Sequence, residues 1–273
     1  AGAIADMVNL VAGKQWGKAL IVTDGQLVKL GLLDSLFTAL DTHKMSYHLF
    51  DEVFPNPTEE LVQKGYAAYQ AESCDYIIAF GGGSPIDTAK AIKILTANPG
   101  PSTAYSGVGK VLNAGVHLVA INTTAGTAAE MTSNAVIIDT ARQVKEVIID
   151  SNIIPDIAVD DASVMLDIPA SVTAATGMDA LTHAVEAYVS VGAHPLTDAN
   201  ALEAIRLITL WLPKAVDDGH NLEAREQMAF GQYLAGMAFN SAGLGLVHAL
   251  AHQPGATHNL PHGVCNAILL PII

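Results

Sequence analysis

The sequence has few cysteines, few basic residues and no long apolar run, and each shortage excludes a class of protein. Only two cysteines, Cys74 and Cys265, occur among 273 residues, so we expect neither a disulfide framework nor a cysteine-based zinc site. Thirteen Lys and Arg residues stand against 27 Asp and Glu residues, which gives a net charge of −14. This charge argues against nucleic acid or an anionic membrane surface as a partner, since both require clustered basic side chains.

Apolar stretches are too short for a membrane span, because Gly, Pro, Asp or His interrupts the longest of them. The first residues, AGAIADMVNLV, have neither a basic flank nor a cleavage-site pattern, so we expect no signal peptide. Low cysteine usage fits a reducing compartment, and we expect a cytoplasmic protein. Hydrophobic residues make up 51% of the chain and charged residues 15%, and the length suffices for two packed domains.

Strand and helix signals alternate in the first half of the chain. Apolar, β-rich runs occupy residues 19–23, 76–80 and 116–121, and two further strand-like runs occupy residues 136–139 and 147–150. Helical patterns lie between them, at residues 32–40, at residues 58–72 with Thr58 as N-cap, and at residues 87–97. This alternation predicts an α/β domain whose parallel sheet carries helices on both faces.

From Ala170 onward the chain has almost no strand signal. Helical patterns occupy residues 170–189, 195–212, 222–239 and 245–252. The change of character falls near residues 160–169. We therefore predict an α/β domain over residues 1–166 and an all-α domain over residues 167–273.

A glycine run, Gly81-Gly82-Gly83, follows the 76–80 strand directly and opens a helix. Ser84 is the predicted N-cap, Pro85 suits the first helical position, and Asp87 completes the spacing of a capping box. Free N–H groups at this helix end favour an anion such as a pyrophosphate. The run is not the GxGxxG fingerprint, and a tight strand-to-helix turn is the alternative interpretation.

Three polar loops are predicted at one rim of the sheet. Asp24 follows the first strand, the glycine run follows another, and the segment NTTAGT (122–127) follows a third. Ligands of open parallel sheets bind beyond the carboxyl ends of the strands. Asp24 is a candidate for the ribose hydroxyls of an adenine nucleotide, the alternative being a plain Asp-Gly turn.

Two candidate metal ligands, Asp179 and His183, lie four residues apart in the predicted 170–189 helix, so both face one side. The alternative is that they only form hydrogen bonds inside a helical core. Further imidazoles lie between residues 248 and 262, where four of the ten histidines occur: His248, His252, His258 and His262. Asp179, His183 and two of these would form a set of ligands suited to Fe(II) or Zn(II).

These segments together resemble the iron-containing (group III) alcohol dehydrogenase family, and within it the bacterial branches that act on lactaldehyde, propanediols and simple alcohols. The matching motifs run in order along the chain: ALIVTD, PNPT, GGGSPIDTAK, NTTAGTAAEMT, AATGMDALTHAVEAY and GLGLVHALAHQPGATHNLPHGVCNAILLP. The resemblance implies a dehydroquinate synthase-like fold. It also implies that the chain is shortened at both ends, and Ile272 stands where many members carry His.

The resemblance further implies a metal-dependent, NAD-linked oxidoreductase acting on a small alcohol or aldehyde, in a homo-oligomer. It places the metal ligands at Asp179, His183, His248 and His262, and an additional active-site histidine at His252. It places the cofactor contacts at Asp24, Asn56, Gly82, Gly83, Ser84, Asp87, Thr123, Thr124, Thr127, Thr132 and Lys145. Two alternatives remain open: a zinc-dependent polyol oxidoreductase resembling glycerol dehydrogenase, and a catalytically inactive, truncated assembly module.

Overall fold

The computed structural model describes residues 1–258 and 260–273 and divides into two compact units. Residues 1–122 and 133–161 form the first unit, and residues 123–132 and 162–273 form the second. The predicted fold class is confirmed, since the first unit contains a parallel sheet with helices and the second contains five α-helices in its described residues. Residues 123–132 group with the helical unit although they follow a strand of the first.

The main sheet of the first unit is formed by β1 (Lys18–Val22), β2 (Ser46–Phe50), β3 (Tyr76–Gly81), β5 (His117–Asn122) and β8 (Ile157–Asp160). It is entirely parallel, with the strand order β2-β1-β3-β5-β8. The inner strands β1, β3 and β5 are buried almost throughout, which explains why their sequences are continuous apolar runs rather than alternating ones.

A second, three-stranded sheet corrects one prediction. The strand-like runs at residues 136–139 and 147–150 do not join the parallel sheet: β6 (Asn134–Asp139) and β7 (Val144–Ile149) form an antiparallel pair, and β4 (Gly107–Val108) lies parallel to β7. Only residues 140–143 connect β6 to β7. A connection between parallel strands needs a dozen or more residues, so this length permits only a hairpin.

Five helices belong to the first unit: α1 (Ala3–Ala12), α2 (Gly25–Lys29), α3 (Asp34–Thr42), α4 (Glu59–Ala71) and α5 (Gly83–Leu95). The predicted N-cap of α4 is confirmed, because the Thr58 side chain accepts a hydrogen bond from the Leu61 N–H at 3.3 Å. Helix α5 is buried along most of its length. It begins two residues after the end of β3, so its N-terminus lies at the carboxyl end of that strand.

The second unit contains α6 (Ala170–Val189), α7 (Pro195–Asp217), α8 (Leu222–Ala242), α9 (Leu246–His258) and α10 (His262–Leu269). Helices α6, α7 and α8 share an alanine-rich core that includes Ala180, Ala184 and Ala204. Small side chains allow close approach of the helices: a Cβ atom at Gly177 in α6 would lie 2.3 Å from a methyl group of Leu212 in α7. Helix α6 is thereby held as a rigid platform for its polar residues.

Within the described residues, no single helix has the length and apolar composition of a membrane span. The pair formed by residues 222–242 and 246–254 meets the length and composition criteria only when the two helices are taken together, and it is bent by 105°.

Candidate active site

Helix α6 presents three ionisable side chains toward the interior of the second unit. Asp179, His183 and Glu186 are 3%, 5% and 4% exposed. Their spacings of four and three residues place them on one face of the helix, as predicted for the first two. Buried carboxylates and imidazoles are costly unless partnered, so this face marks a site rather than ordinary core.

Helices α9 and α10 bring two imidazoles to Asp179. The Nε2 atoms of His248 and His262 lie 3.6 Å and 3.5 Å from the Asp179 Oδ1 atom. Within residues 1–258 and 260–273, one ligand atom from each of these three side chains lies within 4.8 Å of the others. A carboxylate and two imidazoles converging in this way form a donor set that suits Fe(II) or Zn(II).

His183 lies beside this group rather than within it. Its ring stacks between those of Phe239 and His248, with centroid distances of 4.4 Å on both sides. Burial lowers the pKa of His183 to about 3, so the imidazole is neutral, which is the form that binds metals. Its Nδ1 atom is buried and makes no hydrogen bond with the described residues. A buried nitrogen without such a hydrogen bond, in a ring stacked on that of His248, fits the presence of a metal ion nearby.

His252 and His258 do not belong to the converging group. The ring centroid of His252 lies 6.5 Å from that of His248 and 5.1 Å from that of His262, one turn farther along α9. His258, at the end of α9, is exposed. Of the four histidines between residues 248 and 262, the structure thus brings only His248 and His262 into the ligand group of Asp179.

The pKa values of Asp179 and His248 depend on each other and on the neighbouring ionisable side chains. Burial opposes ionisation of Asp179, but the three imidazoles of His183, His262 and His248 outweigh it and hold the pKa of the carboxyl well below its usual range. Burial likewise opposes protonation of His248, yet the neighbouring carboxylates of Asp179 and Glu186 raise the pKa of His248 to about 9. The site therefore holds an ionised, buried carboxylate that can attract a cation.

Sequence patterns alone missed two residues of this centre, Asn266 and Glu186. The Asn266 Nδ2 atom lies 2.6 Å from Asp179 Oδ1, 3.1 Å from His248 Nε2 and 3.3 Å from His262 Nε2. The same three atoms that would hold a metal ion thus surround an amide nitrogen. Helical spacing contained a signal for both residues, since Asn266 follows His262 by four positions and Glu186 follows His183 by three.

In the first unit, the predicted nucleotide-binding loops lie at one edge of the sheet. Asp24, Gly82 and Asn122 are at or just beyond the carboxyl ends of β1, β3 and β5, which are adjacent and parallel. Gly82 is the N-cap of α5, so the free N–H groups of the first turn, which includes Gly83 and Ser84, point toward this edge. Such a helix end is suited to a phosphate group.

The capping box predicted in the glycine loop is wrong. Helix α5 begins at Gly83, so Ser84 lies inside the first turn and does not cap the helix. The Asp87 carboxylate instead accepts a hydrogen bond from the Val136 N–H at 3.1 Å, because β6 lies within reach of the helix. The positive φ that this loop requires occurs at Gly81, where φ is +148° and a Cβ atom would lie 2.5 Å from the Pro85 ring.

Asp24 is the N-cap of α2 rather than part of a plain turn. Its Oδ1 atom accepts hydrogen bonds from the N–H groups of Gln26 at 2.8 Å and Leu27 at 3.0 Å. Both bonds use the same oxygen. The carboxylate is half-buried, and its orientation is fixed by the helix that it caps.

Asn56, Asp87 and Lys145 are brought together although they are far apart in the sequence. The Lys145 amine donates a hydrogen bond to the Asn56 Oδ1 atom at 2.8 Å, and Asn56 has a left-handed backbone with φ of +59°. Burial raises the pKa of Asp87 to about 6, while the positive charges of Lys90 and Lys145 oppose this shift. These three side chains form a polar, charged cluster in the first unit.

The four candidate threonines, Thr123, Thr124, Thr127 and Thr132, belong to the second unit. Thr123 and Thr132 are buried, whereas Thr124 and Thr127 are partly exposed. Their segment packs against α6, since a Cβ atom at Gly126 would lie 2.8 Å from the Thr176 Cβ atom. The predicted cofactor contacts are therefore distributed over both units.

Comparison with known proteins gives the same family along the whole chain. A family model described as iron-containing alcohol dehydrogenase matches residues 1–162, and a model of the C-terminal part of the Fe-containing alcohol dehydrogenase family matches residues 173–273. Alcohol dehydrogenase 4 of Schizosaccharomyces pombe is 47% identical over 269 residues, a match that covers 98% of this chain and 64% of the relative. The NAD-dependent methanol dehydrogenase of Bacillus methanolicus is 48% identical over 254 residues, covering 93% of this chain and 67% of the relative.

Solved structures agree with the sequence relatives. The crystal structure of a 1,3-propanediol oxidoreductase superposes with a TM-score of 0.94 and 47% identity, covering 98% of this chain and 70% of that one. The chain thus spans about two thirds of the length of the proteins it matches. Two family models that together match most of the chain, and relatives that are 47% and 48% identical over the aligned residues, lead to one conclusion: the chain belongs to the iron-containing alcohol dehydrogenase family.

Proposed function

We propose that this chain carries out NAD-dependent hydride transfer between a primary alcohol or diol and the corresponding aldehyde. The observation that carries the proposal is the convergence of Asp179, His248 and His262 within 4.8 Å in a member of this family. The names of two relatives, an NAD-dependent methanol dehydrogenase and a 1,3-propanediol oxidoreductase, support the cofactor and the substrate class.

Asp179, His183, His248 and His262 would hold a divalent metal ion, for which Fe(II) is our first assignment and Zn(II) the alternative. When bound, such an ion supplies Lewis-acid chemistry to an alcohol or carbonyl oxygen. The buried Nδ1 of His183, which makes no hydrogen bond with the described residues, supports its inclusion as the fourth ligand.

The remaining predicted residues would bind and orient NAD. Asp24, already fixed as the cap of α2, would accept hydrogen bonds from ribose hydroxyls, and the N-terminus of α5 at Gly82, Gly83 and Ser84 would bind the pyrophosphate. The other predicted contacts to NAD are Asn56, Asp87, Thr123, Thr124, Thr127, Thr132 and Lys145.

His252 would carry protons between the substrate oxygen and solvent. It is half-buried on α9, one turn from His248, and its ring is near that of His262 without belonging to the converging group. A histidine near but outside the ligand group can change its protonation state, which a metal-bound imidazole cannot do freely.

The test combines metal analysis with a substrate panel. Protein purified anaerobically is expected to contain close to one equivalent of iron or zinc by mass spectrometry. With Fe(II) or Zn(II) restored, it is expected to reduce NAD in the presence of ethanol, butanol, 1,2-propanediol, 1,3-propanediol or glycerol. His248→Ala provides the matched control. Absence of bound metal and of any nicotinamide reduction would refute the proposal and favour an inactive assembly module. Preference for zinc and glycerol would favour the polyol branch.

The cytoplasmic location, the homo-oligomer and the domain boundary between residues 166 and 167 stay predictions from the sequence.

A further inference from the structure

Glu186 is a buried carboxylate of the second unit to which the proposed reaction assigns no role. It lies on the same face of α6 as Asp179 and His183 and is 4% exposed. Its carboxylate does not belong to the three-residue ligand group. It points to the beginning of α9 and contacts both the backbone and the side chain of His248.

The backbone contacts make Glu186 a cap for α9. Its Oε1 atom accepts a hydrogen bond from the Val247 N–H at 2.7 Å, and its Oε2 atom accepts one from the His248 N–H at 3.3 Å. Helix α9 begins at Leu246, so these donors belong to the first turn, whose N–H groups have no partners within the helix. A Cβ atom at Gly245 would lie 2.8 Å from Oε1, so the residue before the helix leaves room for the carboxylate.

The side-chain contact determines which nitrogen of His248 carries a proton. Glu186 Oε2 lies 2.5 Å from His248 Nδ1. An ionised carboxylate can only accept hydrogen bonds, so Nδ1 must be the protonated nitrogen. In the neutral imidazole, which is the form that binds a metal, the other nitrogen, Nε2, then carries the lone pair; it lies 3.6 Å from Asp179 Oδ1 and within the ligand group.

We propose that Glu186 is a positioning residue of the metal centre, which selects the Nδ1-protonated tautomer of His248 and aims its Nε2 atom at the metal. The inference rests on the metal site in the proposed function. Carboxylates that receive the second N–H of a metal-bound imidazole orient the ring and increase its basicity, and their loss typically weakens metal binding about 10- to 100-fold.

Glutamine at this position separates positioning from capping. In Glu186→Gln the amide oxygen can still accept from the Val247 N–H, so the shorter of the two capping hydrogen bonds is retained and only the longer one, from the His248 N–H, is lost. The amide NH₂ then faces His248 Nδ1 and donates to it, which favours the tautomer with the proton on Nε2. That tautomer has its lone pair on Nδ1 and none on Nε2, the nitrogen that faces the ligand group. The variant Glu186→Ala loses both the cap and the tautomer control.

The decisive measurement is the Zn²⁺ affinity of the full chain, determined by competition with a chromophoric chelator, together with the melting temperature of each metal-free variant. We expect Glu186→Gln and Glu186→Ala to bind Zn²⁺ equally weakly, about 10- to 100-fold below the unaltered protein. Glu186→Asp should recover part of the loss. In the metal-free state, Glu186→Gln should melt closer to the unaltered protein than Glu186→Ala does.

Glu203→Gln is the matched control, because it removes one carboxylate from the exposed face of α7, where Glu203 pairs with Arg206. It should bind Zn²⁺ as the unaltered protein does. If Glu186→Gln also binds like the unaltered protein, Glu186 is only a helix cap and the inference is wrong. If the unaltered protein itself binds no Zn²⁺, the proposed metal site is wrong and this inference falls with it.

A second measurement needs no variant and remains decisive if the substitutions prevent folding. In zinc-loaded protein labelled with ¹⁵N-histidine, long-range ¹H–¹⁵N correlation spectra report which ring nitrogen is protonated. We expect the His248 proton on Nδ1 and an unprotonated Nε2. A proton on Nε2 would overturn the inference.

Discussion

His248 and His252 lie one turn apart on α9, but their substitutions should fail in different ways. His248 belongs to the converging ligand group and His252 does not. His248→Ala is expected to purify with little iron or zinc and to be destabilised, because metal binding is linked to folding. His252→Ala should keep its metal and lose turnover about a hundredfold to ten-thousandfold, as for loss of a general acid or base. Metal content and pH–rate profiles measured side by side decide between them, and a metal-free His252→Ala would contradict the assignment.

Asp24 offers a test of cofactor choice that leaves its structural role intact. Serine can accept the same backbone hydrogen bonds at the N-terminus of α2, so Asp24→Ser keeps the cap and removes the charge. The carboxylate favours ribose hydroxyls and repels a 2′-phosphate, so the preference for NADH over NADPH should fall about tenfold or more. Fluorescence titration with both nucleotides measures this ratio. Equal affinity of the unaltered protein for both would contradict the role of Asp24.

Asp87 should make the free energy of unfolding depend on pH, in the range between the pKa of its carboxyl group in the unfolded chain and the pKa of the same group in the folded protein. Burial raises the pKa of this carboxyl from 3.8 to about 6, so the folded protein holds the proton more tightly than the unfolded chain does. The stability that the group contributes is complete below about pH 4 and is lost as the pH rises through 6. Relative to Asp87→Asn, the unaltered protein should lose about 1 to 3 kcal/mol of unfolding free energy between pH 4 and pH 7.

Urea denaturation of both proteins at half-unit pH steps measures this difference. The asparagine amide can still accept the Val136 N–H, so local hydrogen bonding is matched as closely as the chain allows. A difference in stability that stays constant over the range would contradict the shifted pKa.

At the scale of elements, the close packing of α10 on α6 carries His262 to Asp179. A Cβ atom at Gly263 would lie 2.0 Å from the Ala175 carbonyl oxygen, so only glycine permits this approach. Gly263→Ala should therefore cost about 1 to 3 kcal/mol of stability and weaken Zn²⁺ binding, because the added methyl group moves α10 away from α6. Urea denaturation and chelator competition measure both effects.

Gly13→Ala is the control for this substitution. Its added Cβ atom would lie 3.5 Å from the Leu10 carbonyl oxygen, an ordinary contact at the end of α1. It should change neither stability nor metal affinity substantially. If Gly263→Ala behaves like Gly13→Ala, the close approach of the two helices does not determine the position of His262.

At the scale of the whole molecule, metal binding should stabilise one unit selectively. The ligands come from α6, α9 and α10, which all belong to the second unit. Zn²⁺ at about a thousand times its dissociation constant would add about 4 kcal/mol to the folded state. Hydrogen exchange of the full chain should slow in these three helices and change little in β1, β3 and β5. His248→Ala should abolish the difference, and equal slowing in the strands would contradict it.

The sequence by itself determined the elements and much of the chemistry. Helix α6 has the predicted bounds, 170–189, because its helical pattern and its boundaries are local properties of the chain. The inner strands were recognisable as apolar runs for the same reason. The Asp179–His183 pair was recognisable because helical spacing alone places both residues on one face, and the family was recognisable from motifs that run in order along the chain.

Only the tertiary structure decided which of these residues meet. It selected His248 and His262 from four neighbouring histidines, stacked His183 against His248, and brought Glu186 and Asn266 into the centre. It also separated β6 and β7 from the parallel sheet and grouped residues 123–132 with the helices. The physical reason is that these contacts join residues far apart in the chain. They depend on how closely one helix can pack against another, as α10 packs against α6 at Gly263. A local sequence pattern does not specify the distance between two helices.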